Sequence, residues 1–263
     1  PIHGKISAYA RGEYKHGNNL NLEDYDKIRW MVVTHVVNMM EKMGEIPPTG
    51  LPVTSDVKIS KTIPKPEFAQ KTIKIPFLNS APVIDGQITS NEWKDAAEVQ
   101  LGLNDGFEAP KMPTKVHCGL HNGTFYITFT CTEEVIDFLT INATQQGGNV
   151  TNDDCVEVFL DPGITQSKFY HVAVNPLGIY LADGSYKDWN PDIKTAASIN
   201  KEKQEWIVEL GIPIKGMELA PRFGLNFNRE RRPKDALLEL SSWVMTRGGF
   251  GRPERFGTAI IDD

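Results

Sequence analysis

The chain has 263 residues, of which 40% are hydrophobic and 24% are charged, and its formal net charge is -6. This composition is ordinary for a globular protein that is long enough to form a full hydrophobic core. The negative balance argues against a nucleic-acid partner, which would need a basic surface to neutralise phosphates. No stretch approaches the roughly 20 uninterrupted apolar residues that span a bilayer, so we expect no transmembrane segment.

Residues 1–44 contain the one long helical pattern of the sequence. Asn21 is a suitable N-cap and Gly44 a suitable stop, and apolar residues between them recur every three or four positions. An amphipathic helix must bury its apolar stripe, so we predict an N-terminal helical extension that contacts the rest of the chain or another protein chain. Because the sequence starts at Pro1 rather than Met, we expect a fragment or a processed product.

Residues 45–81 are rich in proline and predict an extended connector, in which residues 72–76 could add one edge strand. Residues 82–263 alternate short apolar segments with Gly, Pro, Asn and Asp. This pattern predicts an all-β, antiparallel β-sandwich that is jelly-roll-like, with one short helix at residues 89–96. The predicted strands are 98–103, 115–121, 124–132, 155–160, 168–175, 178–182, 206–210, 223–228, 238–243 and 258–261.

One hairpin can be placed in register from the sequence. Asn122-Gly123 is a two-residue turn signal, which puts Cys118 opposite Ile127. Cys118 and Cys131 then share a face but lie over about 10 Å apart along the strands, too far for a disulfide. We therefore expect buried free thiols, including Cys155.

Several motifs of the β-region occur in an order that resembles the family 9 carbohydrate-binding modules. They include an opening strand and turn at 82–86, an acidic central strand at 152–162, a hairpin at 170–178 and a strand ending in Ile-Pro at 206–213. Closing strands follow at 223–229 and 255–257. The resemblance covers about two-thirds of the chain.

The resemblance implies a non-catalytic domain that binds an oligo- or polysaccharide between aromatic rings, with polar side chains on the hydroxyls and structural calcium nearby. It also implies an extracellular or periplasmic location, within a larger secreted or periplasmic protein or complex. The sequence departs from the family at 145–152, where the loop before the acidic strand contains no aromatic residue.

Aromatic residues supply the first candidates for sugar contact. Trp189 and Tyr186 lie in a polar loop, where Trp189 either stacks on a sugar or anchors the loop on the core. Trp243 ends a strand and fits either the core or the site. Trp93 and Trp206 lie within predicted elements, so we expect them in the core.

Polar residues supply the remaining candidates. Asn226 and Asn228 share one face of a strand by alternation, with Arg229 on the other. Arg229 could bind sugar hydroxyls or form a salt bridge to Glu157 or Asp154. Asp154, beside Asp153, fits a calcium ligand or a turn cap better than a catalytic pair, and Arg247 lies in a glycine-rich loop that could border the site.

The alternative is a haem-binding or accessory subunit of an electron-transfer complex that uses the same fold. His35 and Met39 lie one turn apart on the predicted helix, which fits either packing or axial ligation of haem. No Cys-x-x-Cys-His motif for covalent haem attachment is present. The sequence also contains no serine-hydrolase, zinc-protease or P-loop motif, so we expect no enzyme.

Overall fold

The computed structural model describes residues 71–89, 91–104, 109–234 and 238–262. The strands in these ranges are β1 (Thr72–Ile75), β2 (Ala97–Gln100), β3 (Gly102–Leu103), β4 (Thr114–His121), β5 (Thr124–Thr132), β6 (Cys155–Asp161), β7 (Tyr170–Val174), β8 (Tyr180–Gly184), β9 (Lys194–Asn200), β10 (Glu205–Pro213), β11 (Arg222–Arg231), β12 (Glu239–Ser242) and β13 (Gly257–Ile261). Short 3-10 helices occupy Ile136–Phe138, Val150–Asn152 and Pro253–Arg255. None of the described helices has the length and apolar character needed to cross a membrane.

The strands form two sheets. The larger sheet has the order β1-β13-β11-β6-β7-β8, with β12 pairing β11 beside β13, and β3 pairing β12. The smaller sheet has the order β2-β4-β5-β10-β9. The pairings between these strands are antiparallel except that of β1 with β13, which is parallel, and an isolated bridge from Phe77 to Leu120 of β4 is also parallel. The predicted all-β sandwich is therefore confirmed, and residues 72–75 supply the predicted edge strand.

The core lies between the two sheets and is built from the inward-facing residues of each strand. Phe125 of the smaller sheet meets Phe223 of the larger one at 6.2 Å between ring centroids, and Phe129 meets Phe227 at 5.9 Å. Both pairs are edge-to-face, the geometry that aromatic rings prefer in protein interiors. These contacts fix the sheets face to face, as a sandwich requires.

The hairpin of β4 and β5 has the predicted register. Cys118 pairs with Ile127, and the turn residues Asn122 and Gly123 have φ of 45° and 74°, as a type I′ turn demands. All three cysteines are buried and unbonded, as expected. Trp93 and Trp206 are also confirmed as core residues, with 4% and 0% of their surface exposed.

A buried ion cluster lies within the core. Glu133, which is fully buried, accepts hydrogen bonds from Arg229 at 3.0 Å and from Arg231 at 2.6 and 2.7 Å. The guanidinium of Arg229 also lies 5.6 Å from the ring centroid of Trp206. Desolvated charges of this kind are tolerated only when they are paired.

The structure differs from the sequence-based expectation in three elements. The single strand predicted at 98–103 is divided into β2, in the smaller sheet, and β3, in the larger one. The short helix predicted at 89–96 is a series of turns in the described residues, although Glu92 does accept the backbone N–H of Thr89 at 3.1 Å. Strand β9 was not predicted. The predicted N-terminal helix of residues 1–44, with His35 and Met39, and residues 45–70 of the predicted connector lie outside the described residues.

Candidate functional site

The outward face of the larger sheet carries polar side chains that are nevertheless buried. Alternation along β6 puts Val156 and Val158 in the core and Glu157 on the outward face. Asn228 of β11 lies opposite Glu157 on the same face, and the two side chains are 0% and 3% exposed respectively. Buried polar groups on an outward face indicate either a covered structural network or a ligand site.

We use the name outer row for five of these side chains: Asp183, His171, Glu157, Asn228 and Glu230. They come from the neighbouring strands β8, β7, β6 and β11. Asp183 lies opposite His171 in register, and Glu230 follows Asn228 on the same face of β11. The row therefore crosses four strands of one sheet.

Hydrogen bonds connect one half of the outer row. The Nδ1 atom of His171 lies 2.6 Å from an oxygen of Asp183, and its Nε2 atom lies 2.6 Å from Oε2 of Glu157. The imidazole also stacks on Phe159, with 4.3 Å between ring centroids and an interplanar angle of 16°. His171 is thereby fixed in position and orientation.

The other half of the outer row has unused hydrogen-bonding capacity. Oε1 of Glu157 and both polar side-chain atoms of Asn228 are buried and have no hydrogen-bond partner among the residues that the structure describes. Each such group costs about 1–3 kcal/mol of desolvation that no hydrogen bond offsets. Two acceptor oxygens and one donor nitrogen on neighbouring strands are thus left without a partner among the described residues.

The electrostatics of the outer row differ between its two ends. Burial alone would lower the pKa of His171, but the hydrogen bonds and charges of Asp183 and Glu157 outweigh it and raise this pKa to about 9. Burial, with the charge of Glu157, raises the pKa of Glu230 to about 7, against the opposing effect of Arg232. At neutral pH the row therefore contains an imidazolium and a carboxyl group that titrates.

An aromatic patch lies beside the outer row. Phe159 contacts Phe169 and Phe256 at 5.3 and 5.6 Å between centroids, and the latter two meet at 6.1 Å. Phe169 and Phe256 are half-buried residues. Accessible aromatic carbon next to polar side chains suits a ligand with both apolar and hydroxyl surfaces.

The loop aromatics predicted to bind a ligand lie elsewhere. Tyr186 stacks on Tyr170 at 4.2 Å between centroids, and Trp189 contacts the same ring at 4.8 Å. Tyr170 faces the core, on the side of the larger sheet opposite to His171. The structure therefore brings Tyr186 and Trp189 together as anchors at the margin of the core, away from Asn228.

Arg229 and Trp243, two further candidate ligand residues, have their side chains in the interior. Arg229 is 1% exposed and pairs with Glu133 rather than with Glu157 or Asp154. Trp243 is 5% exposed and packs on Phe227 in the core. Alternation places Arg229 on the inward side of β11, and Trp243 follows the end of β12 at Ser242.

Asp154 and Arg247 have local roles in the loops where the sequence places them. The carboxylate of Asp154 is buried and accepts the backbone N–H groups of Thr140 and Arg232, each at 2.7 Å. It caps two segments, which was one of its two expected roles. Arg247 is 5% exposed and adopts φ of 52° in the loop after β12, where its backbone N–H bonds Asn104.

Sequence reasoning did not select most of the outer row. Of its five members, only Asn228 was a candidate for ligand contact, and Glu157 was considered only as a salt-bridge partner. A signal was available, since Glu157 and His171 each lie between apolar neighbours within a fully buried strand. A polar residue in the middle of a fully buried strand must have a partner, and that requirement marks it as a candidate.

Comparisons with solved structures identify the fold. A family 9 carbohydrate-binding module from Caldicellulosiruptor kristjanssonii in complex with cellotriose is 17% identical, covers 73% of this chain and 94% of its own, and gives a TM-score of 0.55. A family 9 module from the same organism, in complex with glucose, is 16% identical, and the match covers 73% of this chain and 96% of that module with a TM-score of 0.54. A candidate carbohydrate-binding protein from Bacteroides uniformis ATCC 8492 is 16% identical, and the match covers 73% of this chain and 99% of that protein with a TM-score of 0.55. No family profile matches the chain, and no curated protein sequence matches it significantly.

Proposed function

We propose that this chain is a non-catalytic carbohydrate-binding domain in which the outer row binds the hydroxyl groups of a sugar. The observation that carries the proposal is the unpartnered trio of buried polar atoms on Glu157 and Asn228. Carbohydrate binding is supported by the fold shared with modules whose complexes contain cellotriose and glucose.

The chemistry of the trio matches two neighbouring sugar hydroxyls. Each hydroxyl is one donor and two acceptors. One hydroxyl would donate to Oε1 of Glu157 and accept from Nδ2 of Asn228, and the next would donate to Oδ1 of Asn228. The charged acceptor supplies the stronger of these bonds. The half-buried rings of Phe169 and Phe256 would contact apolar carbon of the ligand.

The test is binding of glucose, cellotriose and an array of plant and microbial glycans by calorimetry, comparing wild type with Asn228→Leu. We expect Asn228→Leu to abolish binding and to raise the free energy of unfolding by about 1–3 kcal/mol, because an unpartnered buried amide is replaced by an apolar group. Binding retained by this variant would refute the site, and silence of wild type on every glycan would refute the function.

Asn226 provides a matched control on the same face of the same strand. It is equally buried, but its side chain bonds both the N–H and the C=O of Val244 at 2.9 Å. Asn226→Leu should therefore destabilise the protein by about 1–3 kcal/mol for each backbone group left unpaired. The two variants should change the free energy of unfolding in opposite directions. That difference would distinguish an asparagine kept for ligand binding from one kept for structure.

The resemblance also implies calcium, and a separate measurement is needed for it. Within the described ranges no group of three or more His, Cys, Asp or Glu side chains could hold a metal ion, and Asp153 and Asp154 both accept backbone N–H groups. Structural calcium therefore stays a prediction, which a fall in melting temperature on addition of a chelator would support. An extracellular or periplasmic location is likewise proposed, and fractionation of the native source tests it.

The haem-binding alternative depends on residues outside those described. Each described histidine has at least one hydrogen-bond partner: His117 has Glu98, His121 has the carbonyl of Leu78, and His171 has its two carboxylates, while Nδ1 of His117 is buried without a partner. An absorption band near about 400 nm in protein from its native source would favour haem. Its absence would leave carbohydrate binding as the function to pursue.

A further inference from the structure

Three side chains of the outer row form a continuous path from solvent to the unpartnered oxygen of Glu157. Asp183 is at the rim, with 53% of its side chain exposed, while the side chains of His171 and Glu157 are 8% and 4% exposed. Each link in the path is 2.6 Å long. A half-exposed residue is thus connected to a buried carboxylate through a single imidazole.

The path fixes the protonation of its middle member. Both ring nitrogens of His171 face carboxylate oxygens, which only accept hydrogen bonds, so both nitrogens must carry a proton. The resulting imidazolium donates to Oε2 of Glu157 and leaves Oε1 as the one free acceptor of that carboxylate. Stacking on Phe159 at 4.3 Å prevents the ring from turning away.

We propose that His171 is a positioning residue for the ligand: held by Asp183 at the rim, it orients the carboxylate of Glu157 so that Oε1 meets a sugar hydroxyl. This role rests on the proposed carbohydrate-binding function. Asp183 acts through His171 and does not itself contact the ligand.

The charges around His171 define the pH range over which the path operates. Asp183 faces it from β8, Glu157 from β6 and Glu230, with its partner Arg232, from β11. Burial opposes the charged imidazolium, but the hydrogen bonds and charges of Asp183 and Glu157 outweigh it and raise the pKa of His171 to about 9, so the imidazolium persists through neutral pH. Loss of one carboxylate partner should lower that pKa by about 1–3 units.

Asp183→Asn is the decisive variant because a half-exposed side chain can be changed without disturbing the core. The titration of the His171 ring is followed by NMR, and cellotriose affinity is measured by calorimetry at about pH 6 and about pH 8.5, on either side of the lowered pKa. We expect the pKa to fall, affinity at the higher pH to drop about tenfold, and affinity at the lower pH to match wild type. Asp183→Glu should restore both values.

The control is Asp262→Asn, which removes an exposed carboxylate paired with Lys74 on the edge strand. It should change neither the His171 titration nor the affinity. An unchanged pKa in Asp183→Asn would overturn the path. A lowered pKa with unchanged affinity at high pH, or an equal loss of affinity at both pH values, would overturn the positioning role. If wild type binds no glycan, the proposed function fails, while the NMR titration still decides whether the path exists.

Discussion

The buried cluster around Glu133 is where we expect a single substitution to lower the free energy of unfolding most. Glu133→Gln keeps the shape of the side chain but removes its charge. Arg229 and Arg231 would then share the interior without their counterion, although Glu133 now accepts three hydrogen bonds of 2.6–3.0 Å from them and one from the N–H of Val135 at 3.1 Å. Breaking a buried ion pair on one side costs about 3–5 kcal/mol.

Urea unfolding of the full chain, monitored by tryptophan fluorescence, measures this cost. Trp206, one of five tryptophans, is fully buried beside Arg229, so it contributes to the change in emission on unfolding. With a slope of about 2 kcal/mol per M urea, the midpoint should fall by about 2 M. Asp262→Asn provides the comparison, because the Lys74–Asp262 pair is exposed at 71% and 50% and contributes about 0–1 kcal/mol. A midpoint shift in Glu133→Gln no larger than that in Asp262→Asn would refute the reasoning.

Three further outcomes are expected. Gly257→Ala should lower the melting temperature, because its Cβ would lie 2.5 Å from the ring of Trp243 and 2.9 Å from the Lys71 carbonyl, whereas Gly102→Ala, which meets nothing within 4 Å, should not. The three buried cysteines should resist a thiol reagent until denaturant is added, since burial raises the pKa of each, that of Cys131 to about 11; rapid native-state labelling would contradict this. The free energy of unfolding should fall by about 3 kcal/mol as pH rises from 6.5 to about 9, the unfolded and folded pKa values of His171. Folded His171 keeps its proton through this interval and unfolded His171 does not, so urea titrations should show the fall in wild type and lose it in His171→Gln.

The strands that could be predicted are those with strong local patterns. The β4–β5 hairpin was placed in register because Asn122-Gly123 determines the turn, and the alternation of side chains along each strand then determines which residues share a face. Strand β9 was missed because its residues, KTAASIN, include only one bulky apolar side chain, Ile199, and that one is 37% exposed. Its place in the sheet depends on pairing with β10, which is a tertiary contact that no local pattern encodes.

The candidate site was less predictable than the fold. Alternation correctly put Asn228 and Arg229 on opposite faces, but it does not say which face is the core. Arg229 is inward because Glu133, nearly a hundred residues earlier, neutralises it there. The outer row likewise joins strands that are distant in sequence, so its assembly follows from topology rather than from any motif.

The parallel pairing of β1 with β13 has a mechanical consequence. The chain enters the sandwich just before Thr72 and leaves it just after Ile261, and Thr72 pairs with Thr258 while Ile75 pairs with Ile261. Tension between the segments that precede β1 and follow β13 would pull the two strands in opposite directions along their length. Their hydrogen bonds would then bear the load together in shear rather than opening one after another. A domain pulled through these two segments would resist extension at this edge.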